Sequence, residues 1–306
     1  MRASRTMLTL NDLPPPVANK RGWPWTVESA AIPEAEWPRI TIVTPSFNQG
    51  RFLEETIRSV LLQRYPNLEY FVIDGGSTDE SVSVIERYAH HLDFCVSEKD
   101  RGQTHAINKG FARATGSILS WLNSDDVLLP GALHRLAKHA MAPHPEKSLW
   151  CGRSYRCDSD GEIFAFYIPP RRMSRWMLQV GSQLAQEATF FPKSLYDEVG
   201  PLDESLKFAM DYDFWVRCWQ NGAKFIHLPY FVSVMRFHHS SKSMNLQAIF
   251  DSESAAIQHR FGGGRANGPI LKLLAKLQYR YRTNLIRPLY RLVETIPDSI
   301  ADVAAV

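Results

Sequence analysis

The sequence predicts an α/β protein built on a mostly parallel central sheet flanked by helices. Three observations carry this. Strand-like and helix-like runs alternate every ~25–30 residues from residue 39 to residue 123, the spacing of βαβ units. The strand-like runs are rich in β-branched residues and nearly continuous in apolar character, as strands covered on both faces are. Small and acidic residues gather where three of these runs end, which is the edge where parallel sheets place their ligands.

Residues 1–38 show no periodicity and are rich in Pro and Trp. Trp23 and Trp25 flank Pro24, so this arm is read as extended and packed by its aromatics onto the main domain. "RITIVTP" is then a buried strand ended by Pro45. "RFLEETIRSVLLQ" follows as a helix with Phe52, Thr56, Ile57, Val60 and Leu61 on one face. "LEYFVID" is the second strand, and Gly75–Gly76 turn the chain into a helix that Ser77 can cap. "DFCVSEKD", "QTHAINKGFARAT" and "SILSWLN" continue as strand, helix and strand.

The second half is less regular. A hairpin is expected at Asp160–Gly161, a short helix over "RRMSRWMLQ", and a strand then a short helix near Pro192. A helix over "AMDYDFWVRCWQ" stops at Gly222, and one or two strands follow, broken at Pro229. "GGG" at 262–264 reads as a linker. The organisation is an arm over 1–38, an α/β domain over 39–261 and a helical extension over 265–306.

With 306 residues, 44% hydrophobic, the chain can bury a large core without staples. Its four cysteines form no CxxC pair and are read as reduced thiols. A net charge of +3 gives no sign of a nucleic-acid partner. Arg5 and Pro14–Pro16 interrupt the N-terminus, and no run reaches the ~20 apolar residues of a membrane span, so a cytoplasmic protein is expected. Residues 269–293 carry Lys272, Lys276, Arg280, Arg282, Arg287 and Arg291 with no acid. An apolar face of Leu273, Leu274, Leu277, Tyr281 and Leu285 completes a basic amphipathic helix. That pattern fits peripheral contact with the inner face of an anionic membrane as well as it fits packing on the domain.

Two adjacent carboxylates, Asp125 and Asp126, follow the fourth strand. By themselves they fit a helix cap near Pro130 or a metal site. The ordered set "ITIVTPSFNQG", "EYFVIDGGSTD", "DRGQTHAINKG", "WLNSDD", "FFPKSLYDEVGPLDE", "DYDFWVRC" and "RFHHSSKS" resembles glycosyltransferase family 2 over about residues 39–260. The "GWPWT" arm also resembles the lead-in of some bacterial members. The resemblance implies a GT-A fold and sugar transfer, with inversion, from a nucleoside-diphosphate-sugar donor to a hydroxyl. The acceptor it implies is a glycan or a lipid-linked glycan of the cell surface.

Site roles follow from the same resemblance. Asp126 would ligate a divalent metal, Mn²⁺ or Mg²⁺, on the donor's diphosphate, and Asp125 would reach the ribose or a metal-bound water. Asn123 stands where a first acid often does, leaving fewer charges for the cation. His238, or His239 beside it, would complete the shell. Asp74 would accept N3–H of a uracil or thymine, which points to a UDP- or dTDP-sugar; an Asx turn with Gly75 is the plainer reading. Pro45 and Phe47 would line the base, Phe47 by stacking. Arg101 would meet the diphosphate at a helix start, or else pair with Glu98 or Asp100. Asp211 would be the general base; on a helix it points ~200° from Asp213, so one of the two faces the cleft and the other caps or pairs with Arg217. Gln186 and Glu187 would touch the acceptor.

Two rival readings differ in class. A sugar nucleotidyltransferase needs a glycine-rich basic loop after the first strand, which "TPSFNQG" lacks. A non-catalytic nucleotide- or carbohydrate-binding module has no need of Asp126 and Asp211.

Overall fold

Ile40–Ser46 forms β1, and all seven of its residues are buried. Apolar side chains on both faces leave no side to turn toward water, so the strand lies inside the sheet. The computed structural model describes residues 7–32, 36–242, 247–262 and 296–303. There β1 pairs in parallel with β2 (Leu68–Asp74) and β4 (Ile118–Trp121), and β2 with β3 (Phe94–Ser97). Helices α1 (Gly50–Leu61), α2 (Ser81–Tyr88) and α3 (Gln103–Arg113) lie between successive strands, as the alternation predicts.

Past β4 the sheet becomes mixed, which corrects the expectation of a mostly parallel one. The strands β5 (Val127–Leu128), β6 (Ser148–Cys157), β7 (Ile163–Tyr167), β8 (Thr189–Pro192) and β9 (Lys224–Arg236) bring the order to β3-β2-β1-β4-β8-β6-β9-β5, with β7 on β6. β8 runs antiparallel to both β4 and β6, β7 to β6 and β5 to β9; β6 and β9 are parallel. The link from β6 to β7, residues 158–162, is far too short for a parallel crossover, so a hairpin at Asp160–Gly161 is forced.

Proline 229 does not break β9. The register against β6 slips there: Cys151 faces His227 while Arg153 faces Phe231. The extra residues bulge out, so Pro229 owes the ladder no N–H. Gly152 sits at the slip because a Cβ there would meet Val232 Cγ2 at 2.2 Å.

Two apolar layers cover the sheet. One holds α1, α2, α4 (Ala132–Met141) and the arm; the other holds α3, α6 (Lys193–Val199), α7 (Met210–Gln220) and the end of α8 (Gln247–Gly262). The short α5 (Arg175–Val180) packs against α8. Trp23 is fully buried and donates its indole N–H to Leu128 O at 2.8 Å. Trp37 packs against Tyr65 and His134. The arm therefore covers α1, which is why Arg58 on that helix is fully buried. Its guanidinium donates to Pro14 O, Pro24 O and Trp25 O, carbonyls that would otherwise lose their hydrogen bonds to water.

Ser77 does not cap α2. The helix starts at Ser81, whose N–H donates to Asp79, and Ser77 binds Asp74 instead. Of the segment 265–306, residues 296–303 are described, and the basic stretch 269–293 lies outside the described residues. Residues 296–303 form no α-helix: Ser299 bridges to Glu162 beside β7, and Ile300 is buried in the arm-side core. Among the described residues no helix is long and apolar enough to cross a membrane, and the four cysteines are free thiols.

Candidate active site

The carboxyl ends of β1 and β4 open onto a cavity of about 580 Å³. Pro45 and Phe47 line it from β1, Asn123 to Asp126 from the loop after β4, and Gln186 and Glu187 from the short 3₁₀ turn before β8. Asp211, in the first turn of α7, lines it too. Residues from 45 to 211 thus meet in one space.

The acid pair is held by backbone. Asp126 is 2% exposed, and its Oδ1 accepts the Arg236 N–H at 3.0 Å. Arg236 donates from Nε to Asp125 O at 3.1 Å and pairs through Nη2 with Glu55 at 2.9 Å. Thr56 Oγ1 donates to Asp126 O at 2.8 Å, tying the loop to α1 as well. Burial holds the Asp126 carboxyl well above the usual range, and repulsion from Asp125 and Glu187 adds to this. A buried carboxylate short of positive charge is a good seat for a cation or a proton.

Asp125 Oδ2 lies 3.0 Å from His238 Nε2, and the His238 ring packs on Phe52. His239 is exposed. Geometry therefore sets His238, not His239, against the acid pair, although His238 stands behind Asp125 and off the cavity lining. Among the described residues no three His, Cys, Asp or Glu side chains already converge as a metal shell.

Asp211 is only part-exposed, and burial raises its carboxyl to about 6, with Glu187 adding repulsion. Its Oδ1 accepts the Tyr212 N–H at 2.6 Å. Asp213, two residues on, faces away and pairs with Arg217 at 2.7 Å and Arg260 at 3.0 Å. The helical offset between the two acids places one in the cleft and the other in an ion-pair cluster.

Glu187 lies beside these acids but is 3% exposed, and it accepts from Arg156 Nη1 and Ser154 Oγ. Gln186 donates to Trp121 O at 2.6 Å and accepts from Asn123 at 3.2 Å. Gln103 donates to Asn123 at 2.6 Å and accepts from Lys242 at 2.7 Å. Lys242, Gln103, Asn123 and Gln186 therefore form a polar chain across the cavity wall.

Two expected donor residues lie off the lining. Asp74 is fully buried and accepts from Gly76 N, Ser77 N, Ser77 Oγ and Ser97 Oγ. It is the staple of the β2–α2 turn, and Gly75 reaches the cavity in its place. Arg101 is 68% exposed and pairs with Glu204 at 2.6 Å rather than with Glu98 or Asp100. Glu98 pairs with Lys109, and Asp100 accepts the Gly102 N–H. Phe47, 59% exposed, stands at the rim.

Sequence reasoning missed Arg236, Gln103, Lys242 and Trp121. Each lies within a quoted motif, but nothing in one sequence marks an arginine as buried or a glutamine as linking two loops.

A family model described as glycosyl transferase family 2 matches residues 41–192. An uncharacterized glycosyltransferase of Mycobacterium tuberculosis is 30% identical over 182 residues, 59% of this chain and 68% of its own length. One of Rickettsia prowazekii is 26% identical over 215 residues, 68% of this chain and 66% of its own length, so the chain spans just under two thirds of that relative. Among solved structures, Staphylococcus aureus TarS 1-349 in complex with UDP-GlcNAc superposes with a TM-score of 0.57 at 15% identity, over 84% of this chain and 76% of that one. The mannosyltransferase PcManGT of Pyrobaculum calidifontis, in complex with GDP-Man and Mn²⁺, superposes with a TM-score of 0.51 at 18% identity, over 87% of both chains. At these identities the structural likeness speaks for the fold alone.

Proposed function

The chain belongs to glycosyltransferase family 2, and from that premise we propose that it moves a sugar from UDP or dTDP onto an acceptor hydroxyl with inversion. The observation that carries this is the single cavity shared by Asp126 and Asp211. A transferase of this kind must steady a departing diphosphate at one end and take a proton from the attacking hydroxyl at the other.

Asp211 takes the proton. With its pKa at about 6 it is mostly ionised at pH 7, yet basic enough to compete for the hydroxyl hydrogen. The acceptor oxygen then bonds to the anomeric carbon as the bond to the diphosphate breaks. The electron pair leaves with the nucleoside diphosphate. Attack opposite the leaving group inverts the centre.

Asp126 and Asp125 fit a hard divalent cation, Mn²⁺ or Mg²⁺. The raised proton affinity of Asp126 and its buried oxygens are what such a cation relieves, and His238 holds Asp125 in place. Bound there, the cation would neutralise charge on the diphosphate. With few protein ligands on hand, the donor's oxygens would be needed to complete the shell.

Phe47 supplies a face for the base at the rim. Asp74 acts indirectly, by holding Gly75 and Gly76 in the turn beside the base. Arg101 would reach the diphosphate only by leaving Glu204, so we give it no role in the resting site. The acceptor we propose is a glycan or lipid-linked glycan of a bacterial surface.

The test is a thermal-shift panel of UDP, dTDP and GDP with and without Mn²⁺, followed by NMR of the product's anomeric centre. UDP or dTDP should raise the melting temperature more with Mn²⁺ than without. No shift with any nucleotide, a retained anomeric configuration, or release of pyrophosphate would overturn the reading.

A further inference from the structure

A second surface stands apart from the cleft. The loop before α5 and its first turn read "RRMSRW", residues 171–176. Arg171, Arg172 and Arg175 are exposed, and none has a carboxylate partner among the described residues. Trp176 is 41% exposed, among the few large apolar side chains left open to water. Met173 and Met177 are half-buried.

Three arginines without carboxylate partners, within five residues of an exposed indole, suit one kind of partner. The arginines match a surface of negative charge, and the tryptophan has an apolar body with a polar N–H suited to the headgroup boundary of a bilayer. An acidic protein would use the charge but would leave the indole without an apolar layer to enter.

Continuity supports the same occupant. Arg175 donates to Phe261 O at 3.3 Å and lies over the Phe261 ring, so α8 ends against this patch. In sequence, α8 is followed by residues 269–293, which carry six basic residues and no acid and lie outside the described residues. On the inner side, α5 leans on the catalytic helix: the Tyr212 hydroxyl donates to Leu178 O, next to Asp211. A bilayer held at this patch would lie beside the helix that carries the proposed base.

We propose that Arg171, Arg172, Arg175 and Trp176 form a docking surface for an anionic lipid bilayer. The surface stands whether or not the acceptor carries a lipid, so the donor assay and this one can fail separately.

The full chain is floated with vesicles of phosphatidylcholine alone and of phosphatidylcholine with one third phosphatidylglycerol. The wild type should bind the anionic vesicles, bind the neutral ones poorly, and be released by salt as the Debye length shrinks. Each basic side chain at a surface adds roughly fivefold in partitioning, so Arg171→Glu with Arg172→Glu should cut binding at least ~25-fold. Trp176→Ser should weaken binding without changing its salt dependence. Both variants alter exposed side chains, so their melting curves and nucleotide shifts should match the wild type. Absence of wild-type binding to anionic vesicles overturns the proposal. So does wild-type binding by the charge-reversed and Trp176→Ser chains, which would credit another segment.

Discussion

Replacing Asp211 by asparagine should cut turnover sharply and at the same time make the protein more stable at neutral pH. The two effects share a cause. Burial, with repulsion from Glu187, lifts the Asp211 carboxyl from 3.8 to about 6. A gap of about two units, at 1.36 kcal/mol each, makes the ionised group cost on the order of 3 kcal/mol. The side chain is only part-buried, so solvent screening brings this to roughly 1–3 kcal/mol. Asparagine keeps the oxygen that accepts the Tyr212 N–H and removes the charge. The sign follows from proton linkage. Between about pH 4 and pH 6 the folded wild type binds a proton that the unfolded chain has released, so its stability falls as pH rises through that window. Above pH 6 the full cost is present; near pH 4 it is nearly gone. Urea unfolding at pH 8 and pH 4 measures the difference, with sugar transfer assayed on the same samples. The variant should gain stability at pH 8 and little at pH 4, while losing ~10²–10⁴ in rate. Wild-type kcat/KM should fall away below about pH 6 on its acid side. An equal stability difference at both pH values, or a variant that turns over normally, would refute the reasoning.

Two further outcomes follow from the same geometry. Asp126→Asn should remove the Mn²⁺-dependent part of the nucleotide-induced melting shift, because the buried carboxylate it replaces is the proposed cation seat; an undiminished Mn²⁺ effect would place the metal elsewhere. Glu187→Ala removes the carboxylate from the buried ion pair with Arg156, which keeps its bonds to Ser154 and Tyr155, so unfolding should become easier by up to ~3 kcal/mol, whereas Glu187→Gln should lose less; a neutral Glu187→Ala in urea unfolding would show that the ion pair carries no such burden.

Local pattern was enough for much of this protein. The runs that become β1, β2 and β4 announce themselves by unbroken apolar character, because a strand covered on both faces has no choice of composition. The ends of those strands, and the acids standing there, could be read for the same reason. The offset of Asp211 from Asp213 is fixed by helical geometry alone. Contacts between distant segments were not readable. The antiparallel β8 between β4 and β6, the Arg236 lock on Asp125 and Asp126, and the Arg58 cap on the arm join residues 33 to 111 positions apart. Whether Asp74 faces a ligand or staples its own turn depends on four donors arranged around it in space. Arg101 is a similar case, for its partner Glu204 lies 103 residues away. Sequence determines which residues must leave water and the period at which they recur; only the tertiary structure decides which buried charges find one another, because that pairing is settled when the layers close.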